Sequence, residues 1–158
     1  MPYQVRGLSF DGFNVNDEWE TASRTVTEAD IVNFAGLSGD FNPLHTDEEF
    51  ARGTPFGGRI AHGVLGLAVA TGLANQLGIF EGTTIAVLEM VTRFTGAVRP
   101  GDTVNLSLKI AEKKESRKTD RGIIQVAVNL ANQRRESVMQ GQWTIMMARE
   151  RSNPNEAG

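Results

Sequence analysis

Asp40 and His45 stand five residues apart in the stretch Gly39-Asp40-Phe41-Asn42-Pro43-Leu44-His45, and seventeen residues after that histidine His62-Gly63 heads an apolar run. A carboxylate and an imidazole on one short stretch are two proton-transfer groups, able between them to take a proton from water and supply one to a carbon. The residue types leave open which of the two is the base. Just downstream, Gly58 to His62 contains no Ser, Thr, Asp or Asn, so a helix starting there lacks a side-chain cap and keeps its first amide donors free. Such donors, at the positive end of a helix dipole, can polarise a carbonyl oxygen as charge builds on it. Gly63 suits this role because, without a Cβ, it lets a ligand approach the backbone. Donor cluster and acid/base pair together point to carbonyl chemistry.

The elements that must position these groups are legible around them. Thr27-Glu28-Ala29-Asp30 is a near relative of the capping box, and Ile31, Val32, Phe34 and Ala35 form an apolar stripe, which predicts a helix over 28–37 ended by Ser38-Gly39. Asp40 then emerges from a helix terminus. Pro43 removes a donor and restrains Asn42, so the segment to His45 is expected to be a defined turn. Thr46-Asp47-Glu48-Glu49 reads as a capping box, which places His45 immediately before a second short helix ended by Gly53 and Pro55. The run from Gly63 to Leu77 is apolar or small on every face, the pattern of a buried helix. At about 22 Å it is too short to span a membrane comfortably.

Everything after Gly82 reads as strand. Residues 84–94 are rich in β-branched side chains, Arg99-Pro100-Gly101-Asp102 is a turn, and three alternating sets follow: Val104 to Ile110, Ile124 to Leu130, and Met139 to Met147,. Three such strands joined by polar turns imply an antiparallel meander with one apolar face, and the 63–77 helix is the one element apolar enough to cover it. The expected fold class is α+β, a curved antiparallel β-sheet wrapped around a central apolar helix. A weak edge strand is expected over 18–26, an irregular surface arm over 1–17, one domain over 1–150 and a polar, disordered tail over 151–158.

Composition narrows the partners. A net charge of -3 over 158 residues offers no electrostatic footprint for nucleic acid or an anionic membrane. The chain has no cysteine, which excludes a disulfide framework and thiolate metal sites. The N-terminus lacks the basic and apolar regions of a signal peptide, and the expectation is a soluble, cytoplasmic protein with small-molecule partners.

The stretch Phe34-Ala35-Gly36-Leu37-Ser38-Gly39-Asp40-Phe41-Asn42-Pro43-Leu44-His45, with Ala51 and then Gly58-Arg59-Ile60-Ala61-His62-Gly63, resembles the signature of the MaoC-like dehydratases and (R)-specific enoyl-CoA hydratases. Phe94, Val98, Arg99, Gly101, Asp102 and Thr103 resemble the later strand and turn of that family, with Ala97 departing from a frequent proline. The resemblance implies the hot-dog fold and the reversible hydration of trans-2-enoyl-CoA to (R)-3-hydroxyacyl-CoA. Carried over by motif, Asp40 and His45 become the catalytic pair and the Gly63 amide the oxyanion donor.

Around that core, His62 is expected to position or pack at the helix start and Asn42 to orient the loop by hydrogen bonds. Phe41, Phe56 and Leu65 are expected to line the pocket, and Val64, beside Gly63, to support substrate binding. Asp40, His45, Asp47 and His62 match no standard zinc spacing, so no metal is expected, and no cofactor beyond the coenzyme A of the substrate. Arg52, Arg59, Arg93 and Arg99 are unranked candidates to meet its phosphates. One hot-dog sheet leaves an edge and a face open, which implies a homodimer or higher homo-oligomer. The rival readings are a hot-dog acyl-CoA thioesterase and a non-catalytic acyl-thioester-binding module.

Overall fold

The alternating segments form the sheet. A computed structural model of the chain describes residues 4–149, and the tail expected over 151–158 lies outside the described residues. In chain order the elements are β1 (Glu18–Glu20), β2 (Arg24–Thr25), α1 (Glu28–Ser38), α2 (Pro43–Thr46), α3 (Glu48–Arg52), α4 (Gly63–Gln76), β3 (Thr84–Phe94), β4 (Thr103–Glu115), β5 (Arg121–Asn132) and β6 (Ser137–Ala148). The strands make one antiparallel sheet in the order β1-β4-β5-β6-β3, with β2 also pairing β4. Alternate residues of the meander, Val104 to Ile110, Ile124 to Leu130 and Met139 to Met147, are buried with Leu65, Val69, Ala70, Leu73 and Ala74 of α4 in one cluster. This is the hot-dog arrangement, a curved sheet closed round a central helix.

Two devices set the sheet against its neighbours. Gly141 sits where any Cβ would strike the Val91 carbonyl of β3, so the missing side chain lets β6 and β3 close up,. Gly122 does the same for the N-terminal arm, because a Cβ there would run into the Phe10 ring.

Four sequence expectations are corrected. The arm is not merely laid over the surface: a 3₁₀ turn over Phe10–Gly12 drives Phe10 and Phe13 into the core, and Phe13 stacks on Phe80 at 6.0 Å. The strand expected over 18–26 is two short strands on the β4 edge, broken where Ala22 and Ser23 interrupt the alternation. The cap of α3 is Asp47, whose side chain accepts from the Phe50 amide. Thr46 is the last residue of α2 instead, since Pro43 at its first position and the Asn42 side chain at its cap start a helix of their own,. His45 thus lies inside a one-turn helix, not before one. Finally, α4 is not buried on every face: Val64, Ala68 and Gly72 are exposed in the single chain, beside an edge strand, β3, that exposes Ile85, Val87, Leu88, Val91 and Phe94. No helix among the described residues is long and apolar enough to cross a membrane.

Candidate active site

The loop that carries Asp40 and His45 is defined residue by residue. The expected capping box forms: Thr27 Oγ1 accepts from the Asp30 amide and Asp30 accepts from that of Thr27. At the other end of α1, Gly39 takes the left-handed conformation (φ 77°) as its C-cap, which turns the chain out so that Asp40 leaves the helix axis. The Asp40 amide donates to Ser38 Oγ, and its carboxylate accepts from the Asn42 amide at 3.1 Å. The Asn42 side chain in turn accepts from the Leu44 amide, and Thr46 Oγ1 donates back to the Phe41 and Asn42 carbonyls. Every one of these bonds is local, so the stretch is its own scaffold.

One side chain ties this loop to the rest of the fold. Arg59 Nε donates to Glu48 of α3 at 3.0 Å while its Nη2 donates to Glu28 of α1 at 3.0 Å. The bonds to Glu28 first, then to Glu48, raise Arg59 above its ordinary pKa, and the bond from Arg59 lowers that of Glu48. Arg59 is therefore occupied in bracing the helices either side of the loop. Arg52 pairs with Glu48 and Glu49, whereas Arg99 donates to the Phe56 carbonyl, at the cavity wall.

His45 Nδ1 lies 2.8 Å from the Ile60 carbonyl. A carbonyl oxygen only accepts, so Nδ1 carries the proton of that bond and Nε2 remains for chemistry. His62, 3% exposed, is bonded in the same way through its other nitrogen: Nε2 donates to the Asp40 carbonyl at 2.9 Å, and Nδ1 has no partner. Its ring stacks on His45 with centroids 3.9 Å apart and packs against Phe34 at 5.0 Å. A ligating atom from each of Asp40, His45 and His62 lies within 4.8 Å of the others, a spacing at which one water can bond to two of them. The same three could converge on a cation, but one nitrogen of each histidine is spent on a backbone carbonyl and the free nitrogen of His62 is shut from solvent.

α4 starts at Gly63 with His62 at its N-cap and no side-chain hydrogen bond to its amides. The Gly63 Cα lies under the Phe94 ring, which an added Cβ would meet at 3.0 Å. Helix start, histidines and ring surround a cavity of about 340 Å³ whose walls include His45, Phe56, His62, Gly63, Phe94 and Met139. Of the sequence-predicted residues, the structure brings His45, Phe56, His62 and Gly63 to this cavity, with the Asp40 carboxylate beside the histidines. Asn42 turns back into its own loop, Val64 and Phe41 are exposed, and Leu65 belongs to the core. Phe94 was missed as a wall residue. The signal available was its period-two spacing from Met90 and Thr92 at the end of a strand.

Comparison with known proteins gives a consistent answer. The family model described as MaoC like domain matches residues 13–132. A 3-hydroxybutyryl-CoA dehydratase of Methylorubrum extorquens is 36% identical over 110 residues, 69% of this chain and 68% of its own. An (R)-specific enoyl-CoA hydratase of Rhodospirillum rubrum is 38% identical over 96 residues, 59% of this chain and 65% of its own length. A solved structure described as a monoamine oxidase regulatory protein from Archaeoglobus superposes with a TM-score of 0.87 at 33% identity, over 94% of this chain and 100% of that one.

Proposed function

The chain belongs to the MaoC-like domain family, and from that premise we propose that it is a hydro-lyase adding water reversibly to a trans-2-enoyl-CoA thioester to give the (R)-3-hydroxyacyl-CoA. One observation carries the reading: His45 and an uncapped helix start at Gly63 line a single cavity, and the Asp40 carboxylate lies beside that histidine. Relatives named as a 3-hydroxybutyryl-CoA dehydratase and an (R)-specific enoyl-CoA hydratase support the direction of the chemistry.

The enoyl thioester enters with its carbonyl oxygen at the Gly63 amide. Polarisation there draws electrons from the C2–C3 double bond and makes C3 electrophilic. A water bound between Asp40 and His45 attacks C3. His45 Nε2, the nitrogen left free by the bond to Ile60, takes one water proton, and Asp40 accepts a hydrogen bond from the other,. The electron pair of the double bond passes through C2 to the thioester oxygen, and the imidazolium returns its proton to C2. Overall one water is added and the enzyme is regenerated. His62 and Phe56 at the cavity and Asn42 within the loop support this geometry without bonding to the reacting atoms. No step calls for a metal or redox cofactor, so prolonged incubation with a chelator is expected to leave turnover intact. The exposed apolar edge of β3 and the open face of α4 support a homodimer.

The direct experiment adds a short enoyl-CoA to the full chain and follows loss of enoyl absorbance with chiral analysis of the product. Release of free thiol in step with that loss, with no 3-hydroxyacyl-CoA formed, would overturn hydration in favour of thioester hydrolysis. Unchanged turnover in both Asp40→Ala and His45→Ala would remove the site assignment.

A further inference from the structure

Arg59 and Ile60 are neighbours in the chain, and one peptide separates an ion-pair clamp from the carbonyl that His45 uses. The Arg59 guanidinium grips both carboxylate oxygens of Glu28, the first residue of α1, through Nη1 and Nη2, while its Nε donates to Oε2 of Glu48, the first residue of α3. Its side chain is 20% exposed, so solvent screens these bonds less than it would on an open surface. Ile60 lies along α2: its amide donates to the Leu44 carbonyl at 3.4 Å and its carbonyl accepts from His45 Nδ1 at 2.8 Å. The Ala61 amide, donating to the Val98 carbonyl at 2.7 Å, pins the far end of the segment.

The posts that Arg59 grips are themselves fixed. Glu28 follows Thr27 at the cap of α1, and Glu48 follows Asp47 at the cap of α3, just past His45. The other oxygen of Glu48 faces Arg52 Nε at 3.6 Å, which leaves Oε2 to Arg59. A Cβ at Gly58 would meet Glu48 Oε1 at 3.4 Å and Arg99 Nη1 at 3.6 Å, so the segment runs close beside both side chains. The bond from the Ile60 amide to Leu44 is long,, and the charge-assisted bonds of Arg59 are the stronger hold on this stretch.

We infer that Arg59 is a positioning residue for His45: by tying α1 to α3 it holds the Ile60 carbonyl where Nδ1 must donate to it, and so keeps Nε2 bare. The inference rests on the hydratase reading for the use made of Nε2, though not for the tautomer itself. In a neutral imidazole the hydrogen bond made by one nitrogen decides which of the two carries the proton. Once the Ile60 carbonyl drifts out of reach, the proton redistributes to Nε2, which then donates to water and takes no proton from it. Lysine is a poor substitute for Arg59, because a point charge lacks the planar fork that spans two carboxylates.

The test uses the full chain, which has only 2 histidines. With ¹⁵N-labelled histidine at a pH of about 8.5, well above the ordinary histidine pKa, protonated and bare ring nitrogens give separate NMR signals, and those lost in His45→Gln identify His45. The wild type is expected to show His45 protonated at Nδ1. In Arg59→Met about half or more of that signal should pass to the Nε2–H form, and kcat for crotonyl-CoA should fall about tenfold with KM within about twofold. Arg59→Lys should lie between the two, and the His62 signals, held by the Asp40 carbonyl, should stay where they are. Glu28→Gln combined with Glu48→Gln leaves Arg59 in place and should reproduce the shift, which keeps the test open where the methionine variant fails to fold. An unchanged Nδ1–H in the folded variants, with or without a loss of turnover, overturns the inference and leaves Arg59 to stability alone. A tautomer shift in variants of a chain that hydrates no enoyl-CoA would uphold the clamp and sink the hydratase reading instead.

Discussion

The imidazole of His45 lies against that of His62 with 29° between their planes and 3.9 Å between centroids. The edge of the same His62 ring donates to the Asp40 carbonyl across 22 residues of sequence. One buried ring therefore touches both members of the proposed pair, and it fixes their separation without occupying Nε2 of His45.

His62→Leu keeps the apolar filling and removes the donor. A misplacement on the order of 1 Å costs up to roughly 100-fold in rate, so kcat is expected to fall by about 10- to 100-fold, with KM within a few-fold of the wild type. His62→Gln can keep an N–H pointed at the Asp40 carbonyl and should recover most of the loss. Equal losses in the two variants would show that the hydrogen bond is not what matters.

Asp40→Asn separates scaffold from chemistry. An asparagine oxygen can still accept from the Asn42 amide, so the loop should persist, yet it lacks the carboxylate charge. With His45→Gln as its companion, kcat is expected to drop by about 10²- to 10⁴-fold in each, with thermal midpoints close to the wild type because both side chains are partly exposed. Circular-dichroism melts alongside kinetics check this, and a collapse of the melting transition would assign the residues to folding rather than to proton transfer.

Gly63 and Phe94 form a second coupled pair. An alanine at 63 must push aside a ring at 3.0 Å, and because that Phe94 ring is half exposed the cost stays below about 1 kcal/mol. Phe94→Val should relieve that cost, so the two substitutions will be non-additive in urea unfolding by roughly 0.5 kcal/mol. Activity should follow a different rule. If the thioester oxygen needs bare backbone at 63, kcat/KM stays depressed at least tenfold in the double variant relative to Phe94→Val alone. Full rescue of activity would mean that Gly63 is there only for packing.

The strands and the central helix were legible because their periodicities are long and local: Val104 to Ile110 or Ile124 to Leu130 can alternate only as strands with one buried face. The uncapped start of α4 was legible for a similar reason, as five consecutive residues offer no capping oxygen. Harder to see was where competing local signals meet. Thr46 carries the better capping-box pattern, but Pro43 and the Asn42 side chain open a helix first and use up the turn. The exposed flank of α4 at Val64 was hidden because composition records apolarity, not whether the sheet is wide enough to cover it. The bonds from His45 to Ile60 and from His62 to Asp40 cross 15 and 22 residues, and no spacing rule announces a side chain that seeks a distant carbonyl.

The N-terminal cap of α1 yields a pH-dependent prediction. The Asp30 carboxylate accepts from the Thr27 amide at 2.9 Å and from Arg24 at 2.8 Å. The Thr27 backbone bond chiefly, with the Arg24 charge adding to it, holds Asp30 below its ordinary 3.8. A folded-state pKa lower than the unfolded one means that the ionised carboxylate stabilises the fold fully above 3.8, and that this contribution is lost as pH falls through the lowered value. Asp30→Asn is therefore expected to cost about 1 kcal/mol in urea unfolding near neutral pH, the usual scale of a capping interaction. The gap to the wild type should narrow as the pH falls from 3.8 through the lowered value, below which both chains carry a neutral side chain at 30,. A gap that stays constant across that range would assign the cap's contribution to geometry alone. Turnover near neutral pH should be little changed, because Asp40 leaves α1 from its opposite end, where Gly39 and Ser38 hold the turn independently of the cap.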